Sequence, residues 1–202
     1  MQKLTRPDML VLIIHYMNLA NARSRADLIE SIRKTGATPD YLFFWGHTPK
    51  VPSKVDASCF SNWFPAPFEL DGVRYATSEH HMMAGKARLF NDPEQEANIL
   101  AAKSPGEAKK YGRLVQGFDD ETWKAKRFDL VVEGNVAKFE QHPEMGELLR
   151  HTGEKILVEA APRDRIWGIG MGRNNEHARS PENWRGQNLL GFALMEVRSR
   201  LA

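Results

Sequence analysis

Phe68-Glu69-Leu70-Asp71-Gly72-Val73-Arg74-Tyr75-Ala76-Thr77-Ser78-Glu79-His80 is the stretch on which the fold turns. Two short β-prone runs flank Asp71-Gly72, a dipeptide suited to the left-handed positions of a two-residue turn, so residues 68–75 predict a hairpin. Ser78 is then placed to cap a helix running to about Leu89, with Glu79 in its first turn. A strand pair and a helix adjoin here, and the rest of the chain reads outward from the join.

Upstream, Tyr41-Leu42-Phe43-Phe44-Trp45 is a β-prone aromatic run ending at Gly46, and Thr48 to Ser58 reads as a loop. Earlier still, Thr5 and Pro7 open a helix that carries Met9–Ile14 and fades near Ala22. A second helix runs from near Ser24 to Gly36. Downstream, Asp92 with Pro93 starts one helix, and Ser104-Pro105-Gly106-Glu107 is a capping box that starts another. A long helix spans about Asp120 to Gln141 and stops at His142-Pro143, and a short one holding Leu148 and Leu149 closes at Gly153. Ile156-Leu157-Val158 and Ile166-Trp167-Gly168-Ile169 read as short buried strands, and Asn188 to Leu201 as an amphipathic helix. The sum is a predominantly helical α+β protein: a small sheet surrounded by six to eight helices, in one domain (41–202) with an N-terminal helical extension (1–40).

Composition bounds the function. At 202 residues with 42% apolar side chains the chain buries a sizeable core, and 27% charged residues argue against both disorder and a membrane bundle. The 28 Lys+Arg nearly cancel 26 Asp+Glu, so net charge does not announce a nucleic-acid binder. Cys59 stands alone, which excludes an internal disulfide and a Cys-rich zinc site and fits a reducing, cytoplasmic setting. The apolar run Met9–Ile14, bracketed by Asp8 and His15, is short for a secretory signal and far from the roughly 18 residues of a membrane span.

Glu79 is the first chemical candidate, because a carboxylate in a helix's first turn faces unpaired N–H groups and the positive end of the dipole. The same position is also ordinary helix stabilisation. Glu79, Met83 and Lys86 fall at i, i+4 and i+7, so the acid and the amine share a face about 10 Å apart along the axis. Asp164 precedes Ile166-Trp167-Gly168-Ile169-Gly170, where it suits a ribose hydroxyl or a second proton-transfer position. Pairing with Arg163 and Arg165, with the glycines as plain turn residues, explains that segment equally well. Ser61-Asn62-Trp63 sets two polar side chains beside an indole, an arrangement able to stack a flat base and read its edge. There is no dinucleotide fingerprint, Walker loop, His-Glu-x-x-His pair or GxSxG elbow. Adjacent His80 and His81 diverge on a helix, so neither a metal nor another cofactor is expected.

These pieces, taken in order, resemble the NADAR family. They are Phe60-Ser61-Asn62-Trp63, Tyr75-Ala76-Thr77-Ser78-Glu79-His80 with Lys86, Ser104-Pro105 with Gly112-Arg113, Trp123, and Lys138-Phe139. Asp164-Arg165-Ile166-Trp167-Gly168, Gly186-Gln187-Asn188-Leu189-Leu190-Gly191 and Leu194-Met195-Glu196-Val197-Arg198 complete them. The resemblance covers about Tyr41 to Leu201 and says nothing of the first 40 residues. It implies hydrolysis of an N-glycosidic bond between ribose C1 and an amino group. It also implies a catalytic Glu at Glu79, an active-site Trp at Trp123 and an active-site Asp at Asp164. Two substrate classes follow from it: guanine in DNA carrying ADP-ribose, removed as the counterpart of a DNA ADP-ribosyltransferase toxin, or phosphoribosylamino-pyrimidine intermediates of riboflavin synthesis. The first is preferred, with Arg6, Arg23, Arg25, Arg33 and Lys34 as a candidate cationic surface toward DNA, although a solvated helical face explains them as well. Lys86 is the candidate for a Schiff-base route, with His80, Trp167 and Gly168 as further substrate contacts. A non-catalytic module binding ADP-ribose or NAD is the competing reading.

Overall fold

The computed structural model describes residues 19–52 and 54–201. Among them are seven α-helices, four short strands and three single-turn 3₁₀ helices. The helix expected over Thr5–Ala22 lies almost wholly outside the described residues; Leu19–Asn21 form one 3₁₀ turn. The chain forms two compact units.

One unit holds the described residues up to Phe43 together with Thr152–Glu196. Its first helix, α1 (Arg25–Thr35), is capped by the Ser24 side chain at Asp27 N–H and closed by Gly36 in the left-handed region, as the sequence predicts. Arg25 is spent within the unit, donating to the carbonyls of Pro181 and Glu182 at 2.7 Å each, and Lys34 pairs with Glu30. Two of the arginine-rich segment's cations therefore already have partners, while Arg6 lies outside the described residues. Strand β1 (Tyr41–Phe44) pairs with a strand far along the chain, Ile156–Glu159.

The segment Ile166–Ile169 is not a strand. Asp164 Oδ1 accepts the N–H groups of Ile166 and Trp167 at 2.8 Å each, which winds this backbone into a turn and removes donors that a ladder needs. Nor is the last helix (Leu189–Arg200) amphipathic. Leu190 through Met195, Val197 and Arg198 are all buried, so no continuous stripe faces water. Fully buried Asn188 precedes it, accepting from Glu159 N–H and donating to the Leu157 carbonyl at 2.9 Å each.

The other unit spans Phe44–His151 with Val197–Ala202. Here β2 (Phe68–Leu70) and β3 (Val73–Tyr75) form the expected hairpin, with Phe68 opposite Tyr75 and Leu70 opposite Val73. Asp71 and Gly72 both have positive φ, 52° and 73°, the pair of left-handed residues that such a turn requires. The strands thus make two separate two-stranded sheets rather than one small sheet. Four helices follow: α2 (Ser78–Leu89), α3 (Pro93–Ala101), α4 (Pro105–Gly112) and α5 (Asp120–Gln141). Pro143–Arg150 forms α6; the strand Ile156–Glu159 of the first unit is β4, and the last helix, Leu189–Arg200, is α7. Helices α2 to α5 pack on one another, and α5 also supports the hairpin, where the Gln141 amide bonds both the N–H and the carbonyl of Glu69.

Candidate active site

The start of α2 is fixed from two sides. Thr77, not Ser78, is the cap: its hydroxyl accepts the His80 N–H at 3.4 Å, and Ser78 is the first helical residue. The Glu79 N–H, left without a partner in its own helix, donates to the Asn62 carbonyl at 2.9 Å. That bond binds the helix to the Ser61–Phe64 turn. Glu79 is only 2% exposed, so its carboxylate sits inside the protein at the positive end of a helix dipole.

The amine beside it comes from α4. Lys109 Nζ lies 4.0 Å from Glu79 Oε1 and 5.8 Å from the centre of the Trp63 ring. The Lys109 side chain is 35% exposed, so it leads from a buried carboxylate toward water. Trp63, half-buried, packs over Gly106, where even a Cβ would stand 3.6 Å from the indole Cη2. Gly106 and Lys109 are one turn apart on α4, so a single helix face serves both ring and carboxylate.

Lys86 is placed differently. Its ammonium donates to the Gly112 carbonyl at 2.7 Å and lies 4.2 Å over the Phe118 ring, and burial lowers its pKa below the ordinary lysine value. Lys109, not Lys86, is thus the lysine that stands at Glu79 Oε1, while Lys86 ties the end of α4 to α2. His80 is committed at both ring nitrogens. A carbonyl only accepts, so Nε2 carries the proton and donates to Ala102 O at 3.1 Å, leaving Nδ1 to accept the Thr77 hydroxyl at 2.8 Å. Burial lowers its pKa as well, which agrees with a neutral ring.

The polar side chains of the turn face inward. Ser61 Oγ accepts the Trp63 N–H at 3.1 Å. Asn62 Oδ1 accepts from Asn135 of α5 at 3.1 Å, and Asn135 Oδ1 in turn accepts the Ser78 hydroxyl at 3.2 Å. Beneath the turn lies Lys138, fully buried, whose ammonium donates to the carbonyls of Cys59 at 2.6 Å and Ser61 at 3.1 Å. Burial pushes its pKa down to about 8. Trp123, near the start of α5, is buried at 9% exposure.

In the other unit, Asp164 holds the turn described above, with Gly168 N–H at 3.5 Å from the same oxygen. Trp167 is half-buried. Gly168 is a packing position, since a Cβ there would come within 2.8 Å of the Glu159 carbonyl. Among the described residues no group of His, Cys, Asp and Glu side chains is arranged to hold a metal ion, and no helix is long and apolar enough to cross a membrane.

A buried acid at a helix start, an amine 4.0 Å from it and an indole alongside are an arrangement able to hold a flat ring and to move protons. A NADAR domain is matched over residues 43–202. The chain belongs to the NADAR family. N-glycosidase R617 of Acanthamoeba polyphaga mimivirus is 40% identical over 167 residues, covering 80% of this chain and 96% of that one. N-glycosidase YbiA of Escherichia coli (strain K12) is 33% identical over 73% of this chain and 83% of its own. The NMR structure of the E. coli protein YbiA matches the fold with a TM-score of 0.65 at 30% identity, over 82% of this chain and 86% of that one.

Proposed function

We propose that the protein removes ADP-ribose from guanine bases in DNA by hydrolysing the bond between ribose C1 and the base amine. Hydrolysis of an N-glycosyl bond is supported by the family and by relatives named N-glycosidase. The particular substrate, and a DNA ADP-ribosyltransferase that would create it, are the proposal.

The observation that carries it is Glu79. Breaking a C1–N bond builds positive charge at C1, and a fixed carboxylate in a water-poor setting stabilises that charge and steers water to it. Glu79 is buried and anchored through its own N–H to Asn62. Half-buried Trp63, 5.8 Å from the Lys109 ammonium and 5.7 Å from the His47 ring, supplies aromatic surface for a purine. Trp123, Asp164 and Trp167 are assigned as active-site residues on the family motif alone. Since both nitrogens of His80 and the Oδ1 of Asn62 have partners in the protein, their part is to hold the site's shape.

The test is cleavage of an oligonucleotide bearing ADP-ribosyl-guanine, alongside a phosphoribosylamino-pyrimidine. Preference for the first is expected; cleavage of the second alone would transfer the site to riboflavin intermediates. Glu79→Gln should lower the rate by about 10²–10⁴, the scale of a positioned acid–base group, while free ADP-ribose still binds. Full activity of that variant on both substrates would remove Glu79 from the chemistry. Borohydride reduction during turnover separates the routes, since sugar trapped on Lys86 would mark an imine and no adduct would mark direct hydrolysis.

A further inference from the structure

We propose that Lys109 is the general acid of the reaction and works with Glu79 as a proton-exchanging pair; this rests on the N-glycosidase reading above. A departing base amine leaves only if its nitrogen gains a proton, so the site needs a donor as well as a carboxylate. Lys109 has the position for it. Its ammonium lies 4.0 Å from Glu79 Oε1, an ion-pair separation that is too long for a charge-assisted hydrogen bond of about 2.7–2.9 Å. The gap leaves the N–H groups able to turn toward a third atom. The same ammonium lies 5.8 Å from the centre of the Trp63 ring, which the His47 ring also approaches at 5.7 Å, so a base held at the edge of this aromatic surface meets the ammonium that faces Glu79.

The backbone supports this placement. Ser104 accepts the Glu107 N–H at 3.2 Å and Glu107 reaches back to the Lys103 N–H at 2.7 Å, which fixes the first turn of α4. Lys86 holds its last residue, Gly112. Lys109 therefore projects from a helix tied at both ends, one turn beyond Gly106, which packs against the Trp63 ring.

The step balances. The C1–N bond breaks and its electron pair stays on nitrogen, which takes a proton from Lys109. Water adds to C1 and gives its proton to Glu79. That proton then returns from Glu79 to the Lys109 amine across the gap, and the pair is ready again. Water has been added across the bond, and no outside reactant is consumed.

Lys109→Met and Lys109→Arg test it on the full-length protein with ADP-ribosyl-guanine oligonucleotide. Arginine keeps the charge but does not release a proton at working pH. For an acid, both variants lose about 10²–10⁴ in kcat with KM within a few-fold of wild type. If Lys109 only attracted an anionic phosphate, Arg would restore kcat and Met would raise KM, and the proposal would be overturned. It would be overturned too if Met were harmless. A wild-type protein that cleaves no ribosylamine would instead sink the N-glycosidase reading. Thermal melts of both variants, at this partly exposed position, should match wild type.

Discussion

Two glycines and a buried lysine explain how tightly the α2 region is assembled. A Cβ on Gly134 of α5 would stand 2.3 Å from His81 Nδ1, and one on Gly112 would stand 2.2 Å from Met83 Sδ. The distances are alike, but the obstacles differ. Met83 is a flexible thioether, whereas the His81 ring is wedged edge-on to Tyr75 at 4.9 Å and beside Phe68 at 6.0 Å. Replacing glycine in a helix by alanine gains about 1 kcal/mol from propensity, and forcing an extra methyl into a rigid core costs about 1–3 kcal/mol. Gly134→Ala should therefore destabilise the protein by up to about 2 kcal/mol, and Gly112→Ala by distinctly less; equal denaturant midpoints for the two variants would refute the argument. In the sequence Lys138 stands out only as part of the Lys138-Phe139 motif. Nothing in a lysine's neighbours along the chain signals that it will serve two carbonyls from a turn 77 and 79 residues away.

Helix starts carry the clearest correspondence between chain and structure. Ser24, Asp92, Ser104 and Asp119 each accept a backbone N–H at the head of a helix, because a side-chain oxygen just before a helical run has a donor waiting for it. Thr77 and Ser78 are both able to cap, and the sequence pattern points to Ser78, one residue too late. Thr77 wins because its hydroxyl also meets the His80 ring, giving it two bonds where Ser78 turns to Asn135. Thr77→Ala should then cost about 1–2 kcal/mol in an equilibrium unfolding experiment, the range for a lost cap, whereas Ser78→Ala should cost less. If Ser78→Ala proved the worse, the start of α2 would be misplaced. Residues 166–169 misled for the opposite reason. An apolar run with glycines fits a buried strand and a buried turn equally, and only the Asp164 side chain, collecting N–H groups ahead of it, decides. In the same way Lys109 was within reach of the sequence. The Ser104 cap sets a register in which Gly106 and Lys109 share a face, but not that this face meets Glu79.

Across the whole chain, burial of titratable groups ties stability to pH in a direction that can be worked out. The α+β, helix-rich class was legible because caps and the hairpin turn are local signals; two sheets instead of one, and a last helix buried along most of its length, depend on distant partners and were not. His81 shows the same dependence. Burial, reinforced by the Arg88 charge and opposed by Asp71, pushes its pKa from the ordinary 6.5 to about 4, with Glu133 Oε2 at 4.0 Å from Nε2. Between those values the unfolded chain holds a proton that the folded one refuses. Stability must therefore rise with pH in that window, being complete above about 6.5 and lost as pH falls toward 4. One such group contributes a slope of at most about 1.4 kcal/mol per pH unit. Lys138 acts at the other end, where a pKa lowered to about 8 makes stability rise again as pH climbs from there toward 10.5. Chemical unfolding at pH 7, 6, 5 and 4 should then show wild type losing stability faster than His81→Gln, since that variant carries no proton to bind there. The two profiles should run parallel above pH 7, and parallel profiles down to pH 4 would mean that the folded protein accepts the proton on His81 at no cost.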